Sequence, residues 1–162
     1  MSYTVRDLVV DWRDDDVEKL VLTENEAAVA WPGGGGWQVT AEEVERDFRQ
    51  TEHVGIFVAE EGNRIVSICS LLCNPGQKED SYIPHLNCHP DYHGKGYGKA
   101  VLLAAVESAY QNGFRKVDLN TWAANMKAVP LYKKSGFMWK PATSVFMENF
   151  TPSARRHPLQ RS

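Results

Sequence analysis

Three glycines alternate with other residues in a segment that leads directly into an apolar helical pattern. Gly94, Gly96 and Gly98 stand in "HPDYHGKGYGKAVL", residues 89–102. A glycine-rich turn at a helix start exposes backbone N–H groups without intrahelical partners, and the helix dipole adds partial positive charge there. Such a turn binds phosphate, and Lys95 and Lys99 would add mobile positive charge. The alternative is a tight strand-to-helix turn that binds nothing.

Two familiar phosphate-binding loops have a different spacing. A Walker loop has Gly, four residues and then Gly-Lys-Ser/Thr, but His93 stands where the first Gly should be and Ala100 where the hydroxyl should be. A Rossmann loop has G-x-G-x-x-G after an opening strand, whereas this chain has G-x-G-x-G late in its length. The segment is therefore a poor match to both.

Composition narrows the class of protein. The chain has 162 residues, 43% of them hydrophobic and 24% charged, which predicts one domain over residues 1–150 and a polar tail or linker start at 151–162. A net charge of -3 argues against a general nucleic-acid binder. No apolar run approaches the roughly 18 residues that cross a bilayer, and the first residues lack a signal-peptide pattern. We therefore expect a cytoplasmic protein without a membrane or nucleic-acid partner.

Three histidines lie at intervals of four and raise the question of a metal site. His85, His89 and His93 would share a face only on a helix, which Pro84 and Pro90 oppose. On an extended strand, at about 3.3 Å per residue, the first two would lie about 13 Å apart, too far to share an ion. We therefore predict no metal. The cysteines have no CxxC spacing and are predicted to be reduced core residues: Cys69, Cys73 and Cys88.

Strand and helix patterns alternate along the chain and predict an α+β fold with a mixed sheet covered by helices. Gly62-Asn63 predicts a hairpin turn, Thr40 with Glu43 predicts a capping box, and Pro84 requires a bulge or an edge position. Helices are predicted at 14–30, 41–50 and 126–136, and a further one from the glycine-rich turn to about residue 112. Strands are predicted at 3–8, 55–61, 64–73, 81–88 and 116–122, with the last strands in "FMWK" (137–140) and "SVFMENF" (144–150).

Two motifs together resemble the Gcn5-related N-acetyltransferase (GNAT) family. The family signature Arg/Gln-x-x-Gly-x-Gly/Ala, after a strand, appears in "LNCHPDYHGKGYGKAVL", with His93 in place of Arg or Gln. The second, Asn-x-x-Ala-x-x-x-Tyr-x-x-x-Gly-Phe, appears as "NMKAVPLYKKSGF", with Pro130 inside it. The resemblance covers roughly residues 3–150 and implies a mostly antiparallel mixed sheet of about six to seven strands with about four helices.

The resemblance implies acetyl-coenzyme A as the acetyl donor. Asn125 would contact its arm, and Tyr132 would point its hydroxyl at the thioester sulfur; with Ala128 these residues are spaced three and four apart and share one helical face. Backbone groups of one strand segment would pair with the pantetheine arm: Leu86, Asn87 and Cys88. Backbone amides of the glycine-rich turn would hold the pyrophosphate: His93, Gly94, Lys95, Gly96, Tyr97, Gly98 and Lys99.

The implied reaction is direct attack of an amine on the thioester, for which a base must remove a proton. His85 lies on the strand beside the presumed thioester and titrates near neutral pH. Glu79 and Asp80 acting through water, and Glu24 or Glu26 on the first helix, are alternatives. Backbone N–H groups around Leu86 and Asn87 would stabilise the developing oxyanion, and Tyr132 would protonate the thiolate.

The acceptor is predicted only as a small-molecule or peptide amine. In the family, the loop between the first two helices borders the acceptor site, and here it is "WPGGGGW", in which Trp31 and Trp37 would form an aromatic wall. Glu26 would favour a cationic amine; packing of the indoles on the core is the alternative. A non-catalytic acyl-coenzyme A sensor, a fragment of a larger protein and a homodimer stay open.

Overall fold

The computed structural model describes residues 3–30, 38–120, 129–140 and Met147. The strands are β1 (Thr4–Asp7), β2 (Gly55–Glu61), β3 (Arg64–Cys73), β4 (Asp80–Cys88) and β5 (Lys116–Leu119). The helices are α1 (Asp16–Ala30), α2 (Ala41–Val44), α3 (Tyr97–Gln111) and α4 (Val129–Lys134). A π-helical segment, Glu45–Arg49, extends α2, and a 3-10 turn, Pro90–Tyr92, precedes α3. The N-cap half of the predicted capping box is confirmed, because Thr40 Oγ1 accepts the Glu43 N–H at 3.1 Å, while the Glu43 carboxylate accepts from the Thr40 hydroxyl at 3.2 Å.

The five strands form one sheet in the order β1-β2-β3-β4-β5. The first four are antiparallel neighbours, and β5 pairs parallel to β4. The β2–β3 hairpin turns at Gly62, whose φ of 63° lies in the left-handed region. The α+β class, the mixed and mostly antiparallel sheet, and the hairpin are therefore confirmed.

The sheet separates two apolar clusters. Buried residues of α3 pack on one face, together with Phe57, Leu71 and partly buried residues of α4. Leu20 of α1 and Val44 of α2 pack on the other face against Ile56, Val58 and Ile68. Strands β2 and β3 therefore send alternate side chains to the α3 side and to the α1 side.

Pro84 lies in β4 where the ladder to β3 is irregular. Ser70 pairs with His85 and Leu72 pairs with Tyr82, so the register shifts between the two pairs. Proline has no N–H to give to a ladder and is accommodated at such a bulge. The predicted bulge is confirmed.

The strand prediction was wrong for "FMWK". Residues 137–140 are described and are irregular, with Met138 and Trp139 exposed. A strand needs a ladder partner, and the described part of the chain offers these residues none; instead the Trp139 ring lies 5.2 Å from Lys133 Nζ. β5 ends at Leu119, short of the expected 122. The described sheet has five strands, below the expected six to seven. Except for Met147, the predicted strand at 144–150 lies outside the described residues. The same holds for 126–128 and 151–162.

A buried ionic network ties β1, β2 and the start of α1 together. Arg6 donates to both carboxylate oxygens of Asp16, at 2.6 and 2.9 Å, and also to Glu60. The Arg13 N–H donates to Asp16 at 2.7 Å. Burial raises the pKa of Asp16, but the hydrogen bonds and the charge of Arg6 outweigh it, so the pKa is lowered overall. The carboxylate is thus held ionised inside the protein.

Replacing Asp16 by Asn is expected to lower the free energy of unfolding by about 3 kcal/mol at pH 7, because it removes one partner of a buried ion pair. Because the pKa of Asp16 is lower in the native state than in the unfolded state, the unfolded chain binds more protons at pH values between the two. The stabilisation is therefore present above the unfolded pKa and is lost as the pH falls. Urea unfolding at pH 7 and pH 4 should show that the free energy of unfolding falls less with acid in Asp16→Asn than in the wild type. Asp15→Asn, on an exposed residue whose carboxylate pairs with Lys19, is the control; an equal effect of both changes would contradict the assignment.

Candidate active site

The glycine-rich segment forms a turn between β4 and α3 that requires glycine at two positions. Gly94 and Gly96 have φ of 80° and 89°, where a residue with a Cβ is strained. Gly96 is the N-cap of α3, without a side-chain cap. The Ala100 N–H donates to the Gly96 carbonyl at 2.9 Å, so the N–H groups of residues 97–99 precede the first intrahelical donor. These amides are among those that the sequence analysis predicts to hold the pyrophosphate.

Tyr97 contributes only backbone groups to this turn. Its side chain is buried, its hydroxyl donates to the Glu61 carboxylate, and its carbonyl accepts a hydrogen bond from Ser67 Oγ at 3.0 Å. The hydrogen bond to Glu61, with burial adding to it, raises the pKa of Tyr97 to about 12. The first residue of α3 is thus anchored to β2 and β3.

The other side chains of the turn differ in what they reach. His93 Nε2 donates to the Cys88 carbonyl at 2.9 Å, so the imidazole at the Arg/Gln position of the family signature ties the turn to the end of β4. Lys95 Nζ lies 5.2 Å from the centre of the Tyr92 ring. Lys99 is exposed on the first turn of α3.

The register of β4 decides which backbone groups face β5. The His89 N–H donates to the Val66 carbonyl at 2.8 Å, and β4 pairs onward with β3 as Asn87–Ile68 and His85–Ser70. Because antiparallel ladders alternate, the backbone groups of His85 and Asn87 face β3, whereas those of Leu86 and Cys88 face the other edge. The last described pair on that edge is Ile83 with Leu119. The edge beyond it carries Leu86 and Cys88, and Asn87 can contribute only its side chain.

Helix α4 reaches the same corner. A Cβ on Gly98 would lie 3.6 Å from Leu131 Cδ2 and 3.9 Å from Cys88 Cβ, which are ordinary contact distances, so α3, α4 and β4 meet at Gly98. Tyr132 follows Leu131, packs against the α3-side cluster and has its ring 6.2 Å from that of Phe137. Asn125 lies outside the described residues.

On the opposite face of β4, two polar side chains point toward α1. Glu24 Oε1 lies 2.8 Å from His85 Nε2, and Glu24 Oε2 lies 3.5 Å from Asn87 Nδ2. Leu86, by contrast, packs on the α3 side. The sheet thus places the candidate base on one side of this edge and the helix of Tyr132 on the other.

A second carboxylate of α1 contacts the start of β3 and the residue that follows β4. Glu26 is hydrogen-bonded to His89 and to Arg64, and His89 is buried. His89 Nδ1 accepts the Asp91 N–H at 3.1 Å, so its Nε2 carries the proton donated to Glu26. Burial, then the charge of Arg64, lowers the pKa of His89. These contacts tie α1 to the entry of the turn, and the role of Glu26 in the acceptor site stays a prediction. The spacing of these residues along the chain does not predict the contacts of Glu26.

The remaining candidate residues are not brought to this edge. Asp80 lies at the other end of β4, where Arg115 donates to both of its oxygens at 3.1 Å; that hydrogen-bonded pair lowers the pKa of Asp80 despite burial. Glu79 accepts the Arg115 N–H through its backbone carbonyl. Trp31 and Trp37 lie outside the described residues.

The three cysteines are free. Cys69 is buried, which raises its pKa to about 12, and burial raises the pKa of Cys88 to about 11, against a hydrogen bond from Gly98. Cys73 is exposed because it ends β3, which corrects the prediction of a core residue.

Over residues 3–30, 38–120, 129–140 and 147, no three His, Cys, Asp or Glu side chains are grouped to hold a metal ion. In the same ranges no helix is long and apolar enough to span a membrane.

Comparison with known proteins identifies the class that this fold and edge define. The sequence model of the Acetyltransferase (GNAT) family matches residues 12–137. The chain therefore belongs to the GNAT acetyltransferase family. An acetyltransferase of the same family from Streptococcus pneumoniae has a similar structure, with a TM-score of 0.72 at 21% identity over 86% of this chain and 87% of that one.

Two curated relatives share parts of their length with this chain. Mycothiol acetyltransferase of Propionibacterium freudenreichii is 29% identical over 130 residues, 78% of this chain and 41% of that protein. An uncharacterized N-acetyltransferase of Methanocaldococcus jannaschii is 32% identical over 87 residues, 51% of this chain and 38% of that protein. The chain thus covers less than half the length of these relatives.

Proposed function

We propose that the protein is an N-acetyltransferase that moves the acetyl group of acetyl-coenzyme A to a primary amine by direct attack within a ternary complex. The observation that carries this proposal is the edge of β4. Backbone groups of Leu86 and Cys88 face away from β3 there, beside a helix start whose N-cap residue, Gly96, makes no side-chain cap.

The residues at this edge fit acetyl-coenzyme A. A pyrophosphate needs several N–H donors in a region of positive potential, which the uncapped start of α3 supplies. An extended pantetheine arm with amide groups can pair with a strand edge as an added strand would. When bound, the cofactor supplies an activated acetyl thioester. Leu86 and Cys88 would hold its arm together with Asn125, and the turn from His93 to Lys99 would hold the phosphates.

Three groups of the chain would then act on the reaction. His85 would take a proton from the amine, the Leu86 N–H would donate to the carbonyl oxygen as negative charge develops, and Tyr132 would protonate the departing thiolate. Their placement supports these roles, because His85 and Tyr132 belong to opposite faces of β4 and Leu86 lies next to His85 in the strand.

The acceptor is the least constrained part of the proposal. The similar proteins include a mycothiol acetyltransferase, a glucosamine 6-phosphate N-acetyltransferase and an aminoglycoside acetyltransferase, so family membership alone does not choose among amines. Trp31 and Trp37 are proposed to border the acceptor site, and the carboxylate of Glu24 beside His85 favours an acceptor with positive charge.

Calorimetry with acetyl-coenzyme A, followed by a thiol-release screen over amines, tests the proposal. The screen should include amino acids, polyamines, aminoglycosides, amino sugars and peptide N-termini. We expect one-to-one cofactor binding and thiol release with at least one amine class. Binding without release for any amine would favour an acyl-coenzyme A sensor, and absence of binding would refute both.

A further inference from the structure

Glu24 is a largely buried carboxylate whose salt-bridge partner is a histidine. Only 12% of its side chain is exposed, and among the described residues its single ion-pair contact is His85 Nε2 at 2.8 Å. The other buried carboxylates of the described chain are paired with arginine: Asp16 and Glu60 with Arg6, and Asp80 with Arg115. A permanent cation is the usual way to compensate a buried carboxylate. Here the partner is instead a group that can gain and lose a proton.

The contact determines which nitrogen of His85 carries the proton. A carboxylate accepts hydrogen bonds, so the Nε2 facing Glu24 is the protonated nitrogen and Nδ1 carries the lone pair in the neutral ring. Among the residues that the structure describes, none hydrogen-bonds Nδ1. Glu24 also faces Asn87 Nδ2 at 3.5 Å, which holds the carboxylate from the same strand.

The surroundings of His85 contain few other charges. Glu24 faces it from α1 and neutral Asn87 lies next to it on β4, with Ser70 as its pair on β3. Phe48, in the π-helical segment, has its ring 6.2 Å from the imidazole, and the His53 ring is stacked on that of Phe48. Burial lowers the pKa of His85, but the hydrogen bond and charge of Glu24 outweigh it and raise the pKa overall.

We propose that Glu24 is a positioning residue that holds His85 as the base for the acceptor amine, with Nδ1 of His85 as the atom that takes the proton. This inference rests on the proposed acetyl transfer. The nitrogen of the amine forms a bond to the acetyl carbon, and the carbon–sulfur bond breaks with its electron pair leaving on sulfur. The excess proton on nitrogen passes to Nδ1, and the thiolate gains a proton from Tyr132. Glu24 stabilises the imidazolium that forms.

Glu24→Gln tests the proposal because glutamine keeps the size and can still accept the Nε2–H bond, but removes the charge. The wild type and the variant are compared in the pH dependence of kcat/KM with an amine found by the screen. We expect the acidic limb to move to lower pH, because a base with a lower pKa stays neutral further into acid. At the alkaline plateau we expect kcat to fall about tenfold, because the weaker base accepts the proton less readily.

A second readout does not depend on catalysis. The imidazole of His85 is titrated by NMR without ligands, its signal assigned by its loss in His85→Gln. Its midpoint should fall in Glu24→Gln and stay in place in Glu18→Gln, which removes the same charge from an exposed position of α1.

The outcomes separate the inference from the function on which it rests. If both the NMR midpoint and the kinetic limb move down in Glu24→Gln alone, the inference is supported. If the limb stays in place, whether or not the NMR midpoint moves, Glu24 only ties α1 to β4 or His85 is not the base, and the inference is overturned. If none of the amines in the screen makes the wild type release thiol, the proposed function itself fails and the base role fails with it.

Discussion

Replacing Gly96 by Asp is expected to weaken acetyl-coenzyme A binding about 100-fold, equivalent to about 2.7 kcal/mol. Gly96 is the N-cap of α3 and the site has open space for a Cβ. Aspartate is a favoured N-cap residue, so its carboxylate would bond the first-turn amides and offset the strain of its left-handed backbone. The same amides would then be lost to the pyrophosphate, and the added negative charge would repel it. Calorimetry measures the change in Kd.

Gly113→Asp is the matched control for this substitution. Gly113 follows the other end of α3, its φ is 79° against 89° at Gly96, and a Cβ there meets nothing within 4 Å. The change introduces the same charge and a similar backbone strain far from the turn, so Kd should stay within about twofold. Equal weakening by both variants would mean that net charge or stability, and not the turn, controls cofactor affinity.

Replacing Tyr132 by Phe is expected to lower kcat about 100-fold while Kd for acetyl-coenzyme A changes little. The ring would keep its packing against Phe137 and the α3-side cluster, whereas the hydroxyl proton needed by the leaving thiolate would be lost. Proton donation by a positioned side chain typically contributes 10²- to 10⁴-fold, and a thiolate leaves more readily than an amine, which places the effect at about the lower end. Thiol release at saturating cofactor, with calorimetry in parallel, measures both quantities.

Tyr110→Phe removes a hydroxyl from an exposed tyrosine of α3 and is the control. Its kcat should equal that of the wild type. An unchanged kcat in Tyr132→Phe would assign this tyrosine to the core and leave protonation of the thiolate to solvent.

Local sequence signals predicted the parts of the site that depend on local conformation. Glycine is required where φ is positive, so Gly62 marked the hairpin and Gly94 and Gly96 marked the turn before α3. Pro84 required a bulge because it lacks an N–H, and the ladder shifts at that point. These features follow from the chemistry of one or two neighbouring residues, so the printed sequence was enough to find them.

The partners of the charged residues could not be predicted, because they depend on how α1 lies across the sheet. Glu24 and Glu26 are two residues apart and looked equivalent in sequence. In the structure one carboxylate reaches His85 on β4, while the other reaches His89 and Arg64. Likewise, "FMWK" has a strand-like composition, but composition does not supply a ladder partner.

The anchoring of Tyr97 has a consequence for the thermodynamics of ligand binding. Its ring lies edge-on to Tyr3 and Tyr92, its hydroxyl is held by Glu61 and its carbonyl by Ser67. The backbone that follows Gly96 is thereby rigid before any ligand arrives, and the loss of conformational entropy falls on folding and not on association. We therefore expect nucleotide association to be fast and to involve little rearrangement of this end of α3.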